Sequence, residues 1–322
     1  MSLLEIRNLR TTFRSDEGTV KAVDGLDLAV GEGEVLGVVG ESGSGKSVTM
    51  LSLMGLVEQP GLVEAEGLRF EGKDLLKASA EEMRRLRGNR MAMIFQDPMT
   101  SLNPFLTVEE QVCEVLQVHK GMRRAAARDR SVALLEEVGI PGAARRLRDY
   151  PHQFSGGMRQ RVMIAIALAC EPALLIADEP TTALDVTIQA QILDLLRKLR
   201  AERKMSVILI THDLGVVAGM CERVKVMYAG KIVEEGPTRN LFKDPRHPYT
   251  RALLASLPRL DEPEGAQLRT IPGLPPNLSR VPPGCPFHPR CAHAEERCSR
   301  DVPRLETVGL GHRKACWVEV KR

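Results

Sequence analysis

A glycine-rich stretch that follows a predicted strand and opens a predicted helix has the clearest chemical signature in the sequence. It matches the pattern G-x-x-x-x-G-K-[ST], whose glycines let backbone N–H groups curl around an anion while the helix directs its positive end at phosphates. We expect Lys46 to reach the β and γ phosphates of a nucleotide and Ser47 to offer its hydroxyl to Mg²⁺, which prefers oxygen ligands. The candidate phosphate-binding residues are Gly40, Ser42, Gly43, Ser44, Gly45, Lys46 and Ser47.

Two adjacent carboxylates end another apolar stretch. Asp178 and Glu179 follow residues 174–177, which the sequence predicts to be a buried strand, and ligands gather at the ends of such strands. We expect Asp178 to anchor the Mg²⁺ directly or through water, and Glu179 to polarise an attacking water. A solvated acidic turn is the simpler interpretation of this pair alone, but the phosphate-binding pattern favours catalysis.

Two further polar residues end predicted parallel strands. Gln96 ends the strand predicted at residues 91–95 and offers an amide that could complete the metal shell. His212 follows residues 207–210 and could place an imidazole near the γ phosphate. Either residue alone is more often an ordinary surface residue, so their shared position at strand ends is what makes them candidates.

A serine and two glycines open a predicted helix at residues 162–170. Ser155, Gly156 and Gly157 thus form a second helix end suited to bind an anion. Because the chain has one phosphate loop and two anion sites, we expect the second site to serve a nucleotide held by another copy or by a relative.

The pattern of apolar residues predicts how these motifs are positioned. Short strands at residues 4–9, 20–23, 26–30 and 35–39 precede the first helix, with a turn at Asp24 and Gly25. Residues 108–139 have helical spacing and form a predicted helical insert. A strand, helix and strand at residues 173–177, 186–200 and 207–210 favour a right-handed parallel arrangement. Beyond Gly236, frequent prolines predict a mostly extended tail with little regular structure.

Composition excludes several classes of protein. The 322 residues suffice for one large domain with an appendage, and 43% of them are hydrophobic, which is too apolar for wholesale disorder. Lys and Arg number 45 against 42 Asp and Glu, so the net charge of +3 argues against strong nucleic-acid binding. Apolar runs are too short to span a bilayer, and no signal sequence is recognisable, so a cytosolic location is expected. Three scattered cysteines are expected to pack in the core: Cys113, Cys170 and Cys221.

Over roughly residues 3–240, the sequence resembles the nucleotide-binding subunits of ATP-binding cassette (ABC) transporters. Six motifs occur in the order typical of that family: the phosphate loop, Gln96, the signature Ser155-Gly156-Gly157, Asp178-Glu179, the loop Ala183-Leu184-Asp185 and His212. The resemblance implies a head-to-tail dimer that holds ATP between one subunit's phosphate loop and the other's signature. It also implies that Phe13 stacks on adenine and that Asp185 belongs to the nucleotide-binding residues.

A finer resemblance is to the oligopeptide/dipeptide permease ATPases, through residues 95–104, 178–191 and 284–291. The signature, with Phe154 and Met158 where Leu and Gln are common, is similar to that of D-type subunits. This implies a heterodimer with an F-type ABC ATPase, bound to two integral membrane permease subunits at the cytoplasmic face of the membrane. An extracytoplasmic substrate-binding protein would be an indirect partner, and no nucleic acid is expected.

The resemblance implies an α/β fold, with a P-loop ABC nucleotide-binding domain at residues 1–240. That domain has a mixed sheet core, an antiparallel β-subdomain and a helical subdomain at about residues 100–160, and a cysteine-containing extension follows at residues 241–322. The implied function is hydrolysis of ATP to power import of di- or oligopeptides. Alternatives are import of nickel or glutathione, a soluble ABC-type ATPase that acts on nucleic acid or ribosomes, and a metal-sensing regulatory subunit.

Four cysteines crowd the tail without the C-x-x-C pairs usual in zinc modules: Cys285, Cys291, Cys298 and Cys316. Four thiolates in a proline-rich segment that cannot build its own core suggest a metal staple. Resemblance to the permease ATPases favours a [4Fe-4S] cluster with four cysteine ligands. Zinc, with help from His288, His293 or His312, and free structural thiols are the alternatives.

Overall fold

The computed structural model describes residues 2–15, 18–182, 184–257 and 270–319. The strands are β1 (Ser2–Ser15), β2 (Gly18–Gly31), β3 (Val35–Val39), β4 (Gly61–Glu64), β5 (Gly67–Phe70), β6 (Lys73–Asp74), β7 (Met91–Ile94), β8 (Leu174–Asp178), β9 (Ser206–Thr211), β10 (Arg223–Tyr228), β11 (Lys231–Pro237), β12 (Glu306–Gly309) and β13 (His312–Lys314). The α-helices are α1 (Lys46–Met54), α2 (Ala80–Leu86), α3 (Pro98–Ser101), α4 (Val108–Lys120), α5 (Arg124–Glu137), α6 (Ala143–Arg146), α7 (Gly156–Leu168), α8 (Val186–Arg203), α9 (Leu214–Met220), α10 (Thr238–Lys243) and α11 (Pro248–Ala255). Short 3-10 turns occur at Leu75–Lys77, Pro151–Gln153, His288–Arg290 and Glu296–Ser299.

The chain divides into two compact units. The first unit comprises Met1–Gly31, Val35–Leu76 and Thr211–Arg322, and the second comprises Glu32–Glu34 and Lys77–Ile210. The first unit contains the phosphate loop and the cysteine tail, and the second contains the two carboxylates and the signature. The domain boundary that the sequence suggests at residue 240, and the limits of the helical subdomain, stay predictions.

An antiparallel sheet built around β1 lies in the first unit. Strand β1 pairs with β2, β4 and β5, and β5 pairs with β6. The sequence-based turn at Asp24 and Gly25 is wrong, because β2 runs through both residues. The chain forms a bulge there instead: the register shifts between Leu9 and Arg10, and Gly25 has a φ of 77°, which glycine adopts without a Cβ penalty.

A second, mixed sheet of the first unit carries the phosphate loop. Its strands lie in the order β12-β13-β11-β10-β3, with β10 and β3 parallel and the other neighbours antiparallel. All five residues of β3 are buried, which explains their uninterrupted apolar sequence. Helix α1 follows this strand after the phosphate loop, so a buried strand and a helix hold the loop from both ends.

The tail is more regular than its prolines predict. The hairpin of β12 and β13 extends the sheet beside β11, because an open strand edge leaves backbone groups that need partners. Fully buried Glu234 of β11 ties the tail down. Its carboxylate accepts hydrogen bonds from the backbone N–H groups of Arg246 (2.6 Å) and His247 (3.0 Å), and lies 2.7 Å from Nε2 of His312. One carboxylate thus fastens two distant segments of the tail to the sheet.

The second unit contains parallel strands in the order β7-β8-β9. Every residue of these strands is buried, as their apolar sequences predict. The predicted helical insert consists of two helices, since Gly121 ends α4 with a φ of 63°. Ser155 caps α7, so the helix of the signature begins at Gly156, before the predicted start at residue 162. None of the described helices is long and apolar enough to cross a membrane.

The three scattered cysteines are buried, as expected for packed core residues. Burial raises the pKa of Cys221 to about 12, and it also raises the pKa values of Cys113 and Cys170. A thiol with a raised pKa has little thiolate at neutral pH, so these residues are poor nucleophiles.

Candidate nucleotide-binding and catalytic site

The phosphate loop of the first unit has the shape of an anion cradle. Lys46 begins α1 and folds its ammonium back over the loop, where Nζ donates to the carbonyl oxygens of Gly40 (2.8 Å) and Glu41 (3.0 Å). The buried hydroxyl of Ser44 finds no hydrogen-bond partner among the described residues. An orphaned donor and an ammonium in one loop fit a phosphate, which accepts hydrogen bonds from both.

Two of the loop's glycines are required by close backbone contacts. A Cβ on Gly40 would lie 2.2 Å from the carbonyl oxygen of Met227, and one on Gly45 would lie 2.2 Å from that of Ala22. Neither neighbour is a flexible side chain that could move aside. Gly43 has open space around its Cβ position, so its role is its φ of 75° and not packing. The strand residues beside the loop thus dictate where glycine must occur.

Phe13 lies on β1 of the antiparallel sheet, opposite Val20 of β2 and Gly61 of β4. Its ring is half-buried, and a Cβ on Gly61 would lie 2.8 Å from its Cε1 atom. The same Cβ would lie 2.4 Å from Cγ1 of Val57, so Gly61 makes room for both side chains, a role that no local sequence signal suggested. The stacking of Phe13 on adenine stays a prediction.

The carboxylates of the second unit lie where β8 ends. Asp178 is the last residue of the strand and is 4% exposed. Glu179 follows with a φ of 47°, and its N–H donates to the carbonyl oxygen of Ile210 (2.9 Å). A left-handed conformation is uncommon outside glycine and costs energy, and strained residues of this kind cluster at functional sites.

Gln96 and Glu179 are brought together although they are far apart in the sequence. Nε2 of Gln96 donates to Oε2 of Glu179 at 3.1 Å, and the hydroxyl of Thr182 donates to the same oxygen at 2.8 Å. Both donors fix the direction of the carboxylate. Thr182 was missed by sequence reasoning, and its position three residues after Glu179 in a tight turn was the available signal.

His212 directly follows β9 and has an exposed side chain. The next residue, Asp213, caps α9 through hydrogen bonds from the N–H groups of Gly215 (2.8 Å) and Val216 (3.2 Å). A capped helix after the strand thus defines where the histidine leaves the sheet. Its role near a γ phosphate stays a prediction.

The signature forms the start of α7 in the second unit. The hydroxyl of Ser155 accepts from the N–H of Met158 at 3.4 Å, and Gly156 is exposed. A Cβ on Gly157 would lie 2.7 Å from Cγ2 of Ile188, so this glycine permits α7 to pack closely against α8. Asp185 caps α8 by accepting from the N–H of Ile188 at 2.9 Å. The signature and Asp185 are thus neighbours, while Ala183 of the same loop lies outside the described residues.

The four tail cysteines line one small cavity of the first unit. Aromatic and histidine side chains complete its wall: His247, Phe287, His288 and Trp317. Burial raises the pKa of Cys285 to about 11, and the pKa values of Cys291 and Cys316 are raised for the same reason. The tail therefore gathers thiols of which consecutive ones are separated by up to seventeen intervening residues along the chain.

No group of three or more His, Cys, Asp or Glu side chains within the described ranges is arranged to hold a metal ion. This finding supports neither the zinc alternative nor the [4Fe-4S] cluster, so a metal in the tail stays a proposal. Nε2 of His312 lies beside the carboxylate of Glu234 in the sheet. Nδ1 of His288 lies 2.9 Å from the carbonyl oxygen of Cys285.

Two family models match the chain. The model described as ABC transporter matches residues 23–182, and the model described as Oligopeptide/dipeptide transporter, C-terminal region, matches residues 233–298. The oligopeptide transport ATP-binding protein OppD of Salmonella typhimurium is 54% identical over 99% of this chain and 94% of its own length. The dipeptide transport ATP-binding protein DppD of Haemophilus influenzae is 53% identical over 96% of this chain and 93% of its own.

Solved structures agree with the fold. A dimeric ATP-binding cassette in a post-hydrolysis state, bound to ADP and Pi, is 30% identical, with a TM-score of 0.64 over 73% of this chain and 99% of its own. A cassette from an ABC transporter of Clostridium perfringens is 27% identical, with a TM-score of 0.63 over 76% and 91%. The predicted fold class, a P-loop fold with a mixed sheet, is thereby confirmed.

Proposed function

Because this chain belongs to the ATP-binding proteins of ABC transporters of the oligopeptide/dipeptide type, and is an ATPase, we propose that it powers the import of di- or oligopeptides. The observation that carries the proposal is the match of residues 233–298 to the C-terminal region of oligopeptide/dipeptide transporters. The hydrogen bond between Gln96 and Glu179 supports a coupling of transport to hydrolysis. Gln96 lies in an exposed loop, and Glu179 is the candidate base. If a membrane subunit binds the Gln96 loop and moves it, the hydrogen bond would change the position of the Glu179 carboxylate that activates water.

ATP and Mg²⁺ are the cofactors of this reaction. Ser47, Gln96 and Asp178 each carry an oxygen of the kind that Mg²⁺ prefers and would hold this ion, and Lys46 and the loop N–H groups would bind phosphates. Phe13 stacks on adenine, and His212 contacts the γ phosphate. Glu179 acts as the base, with Gln96 as its partner. The signature, which is Ser155, Gly156 and Gly157, binds the nucleotide of the second subunit in a head-to-tail dimer. Asp185 belongs to the same set of nucleotide-binding residues.

The partners in this proposal are an F-type ABC ATPase and two integral membrane permease subunits, at the cytoplasmic face of the membrane. An extracytoplasmic substrate-binding protein delivers the peptide without touching this chain. The docking surface includes the loop after Gln96, where Met99 and Phe105 expose apolar side chains, the latter by 86%. Exposed apolar side chains beside a catalytic loop are typical of a site that a partner covers.

Purification of the Glu179→Gln variant from its native cell with ATP and Mg²⁺ tests this proposal. We expect the variant to hold ATP and to retain a second cassette ATPase and two polytopic membrane proteins, identified by mass spectrometry. The same protein without ATP, and a Glu202→Gln variant with an exposed substitution on α8, are the controls. Recovery of ribosomes or DNA-repair proteins would contradict the transport function and support the nucleic-acid alternative.

We propose further that the tail holds a [4Fe-4S] cluster through Cys285, Cys291, Cys298 and Cys316. Such a cluster takes one thiolate on each of four irons, so its ligands surround a cluster and need not converge on one point. The shared cavity of the four cysteines supports this arrangement. When bound, the cluster would staple the tail and could exchange one electron.

Anaerobic purification with iron and acid-labile sulfide analysis tests the cluster. We expect about four irons and four sulfides per chain, and loss of both in a Cys298→Ser variant. A Cys113→Ser variant, altered at a buried cysteine outside the tail, is the matched control and should keep the cluster. Protein that lacks both iron and sulfide would contradict the proposal.

A further inference from the structure

Arg290, one residue before Cys291 in the tail, reaches into the phosphate loop. Its side chain is 6% exposed and forms two parallel hydrogen bonds with the carboxylate of Glu41, from Nη1 at 2.7 Å and Nη2 at 2.9 Å. The third nitrogen, Nε, donates to the carbonyl oxygen of Pro272 at 2.8 Å. Bidentate pairing of this kind fixes both distance and direction, which a single contact does not.

Glu41 is the second residue of the phosphate loop and is held on both sides of its backbone. Its N–H donates to the hydroxyl of Tyr249 at 2.8 Å, and its carbonyl oxygen accepts from Lys46 at 3.0 Å. The carboxylate of Glu41 would repel the phosphates of a nucleotide if it carried its charge alone, since like charges this close interact strongly. Arg290 neutralises that charge, and the ion pair in turn raises the pKa of the guanidinium.

Aromatic rings pack against the guanidinium of Arg290 and hold it in place. Its guanidinium carbon lies 5.9 Å from the ring centroids of both Tyr228 and Phe287. The rings of Tyr228, Tyr249 and Phe287 contact one another, with centroids 4.6 to 5.3 Å apart. Phe287 also lines the cysteine cavity. The contacts from that cavity to Glu41 are therefore continuous and made by packed, buried side chains.

A second part of the tail lies beside the same loop. Pro275, Pro276 and Leu278 line a small cavity together with residues 41–44 of the phosphate loop. The carbonyl oxygen of Leu278 accepts from the N–H of Lys21 at 3.2 Å, which attaches this segment to β2. Residues of the tail thus form one wall of the small cavity beside the phosphate loop.

We propose that Arg290 is a positioning residue of the nucleotide site, which neutralises the carboxylate of Glu41 so that the phosphate loop accepts ATP. The tail then acts on nucleotide affinity without touching the nucleotide, and displacement of the segment at Cys291 would weaken ATP binding. This inference rests on the ATPase activity of the family and not on peptide import. Its test measures nucleotide binding by the purified full chain, so its failure would leave the import proposal intact.

ATP binding by three variants tests the proposal: Arg290→Gln, Glu41→Gln and the double variant. We expect Arg290→Gln to raise the Kd for ATP about tenfold, which corresponds to about 1.4 kcal/mol. Glu41→Gln should bind ATP nearly as the wild type does. The carboxylate that repels the phosphates is absent from this variant, so Arg290 is no longer needed to neutralise it. The double variant should bind as Glu41→Gln does. Because removal of the unpaired carboxylate would also restore stability, thermal unfolding of the same variants is measured beside the Kd, and an arginine that only stabilises the fold would change the unfolding temperature and not the Kd.

A matched control and a conservative variant complete the experiment. Arg300 forms an exposed ion pair with Glu296 elsewhere in the tail, so Arg300→Gln should leave the Kd unchanged. Arg290→Lys keeps the charge but reaches only one oxygen of Glu41, so it compensates that carboxylate less completely and should raise the Kd by about threefold. Wild-type affinity in Arg290→Gln, or a double variant as weak as Arg290→Gln, would overturn the proposal. If Arg290→Gln does not fold, unchanged affinity in Arg290→Lys would overturn it.

Discussion

The Glu179→Gln variant should hydrolyse ATP at least about a hundredfold more slowly than the wild type, the loss expected when a positioned base is removed. The substituted amide has the shape of the carboxylate, and its oxygen can still accept from Gln96 and Thr182. The conformation with a φ of 47° should persist, since the backbone bond to Ile210 does not involve the side chain. The variant should therefore lose turnover and keep its fold and its affinity for ATP.

Release of phosphate by the full chain with its co-purifying subunits measures this loss, and the Kd for ATP is measured on the same preparation. Glu202→Gln, on the exposed surface of α8, is the control for the same chemical change away from the site. A rate within tenfold of the wild type would show that Glu179 is not the base. A raised Kd would show that the substitution disturbs nucleotide binding, and that the lost rate has another cause.

The phosphate loop could be predicted from the sequence because its chemistry is local. Glycines, a lysine and a hydroxyl within eight residues, between an apolar strand and a helix, already specify an anion cradle. The same holds for Ser155, because a helix cap acts on N–H groups only two or three residues away. What the sequence could not supply is the reason for Gly40 and Gly45, which lies in the carbonyl groups of Met227 and Ala22.

Contacts between distant residues have no comparable signal. Glu41 and Arg290 are 249 positions apart, and nothing near either residue indicates that they meet. The tail was expected to be mostly extended, since prolines disfavour strands and helices. The hairpin of β12 and β13 forms because β11 presents an open edge for pairing. The segment at Arg246 and His247 is held because the buried carboxylate of Glu234 accepts hydrogen bonds from both backbone N–H groups. Such partners become visible only when the sheet is assembled.

The turn predicted at Asp24 and Gly25 failed for a related reason. An Asp-Gly pair between apolar runs is a strong local signal for a hairpin. Here the pair lies in β2 beside β1, and pairing continues on both sides of a register shift. Both a hairpin turn and a β-bulge need glycine here for its positive φ. The sequence therefore indicates correctly that glycine is required, but it does not indicate which of the two structures forms. Neighbouring strands decide between a turn and a bulge.

The second large effect is expected for Lys46→Ala, which should weaken ATP binding by roughly 10- to 100-fold. Hydrogen bonds to a charged group contribute about 1.5–3 kcal/mol, and this ammonium has no replacement in the loop. Alanine is the best helix former, so α1 should still begin at this position. The loss should therefore appear in the Kd for ATP, measured by titration calorimetry, and α1 should remain folded.

Two comparisons distinguish the role of Lys46 from that of Arg290. Lys198→Ala, at an exposed lysine of α8, should leave the Kd for ATP unchanged, and retained affinity in Lys46→Ala would contradict its role at the phosphates. Adding Glu41→Gln to Lys46→Ala should recover little affinity, because the lost ammonium acts on the phosphates directly. The same addition should rescue Arg290→Gln, because that arginine acts on Glu41. A positive charge that binds phosphate and one that neutralises the loop thus differ in whether removal of a single carboxylate restores binding.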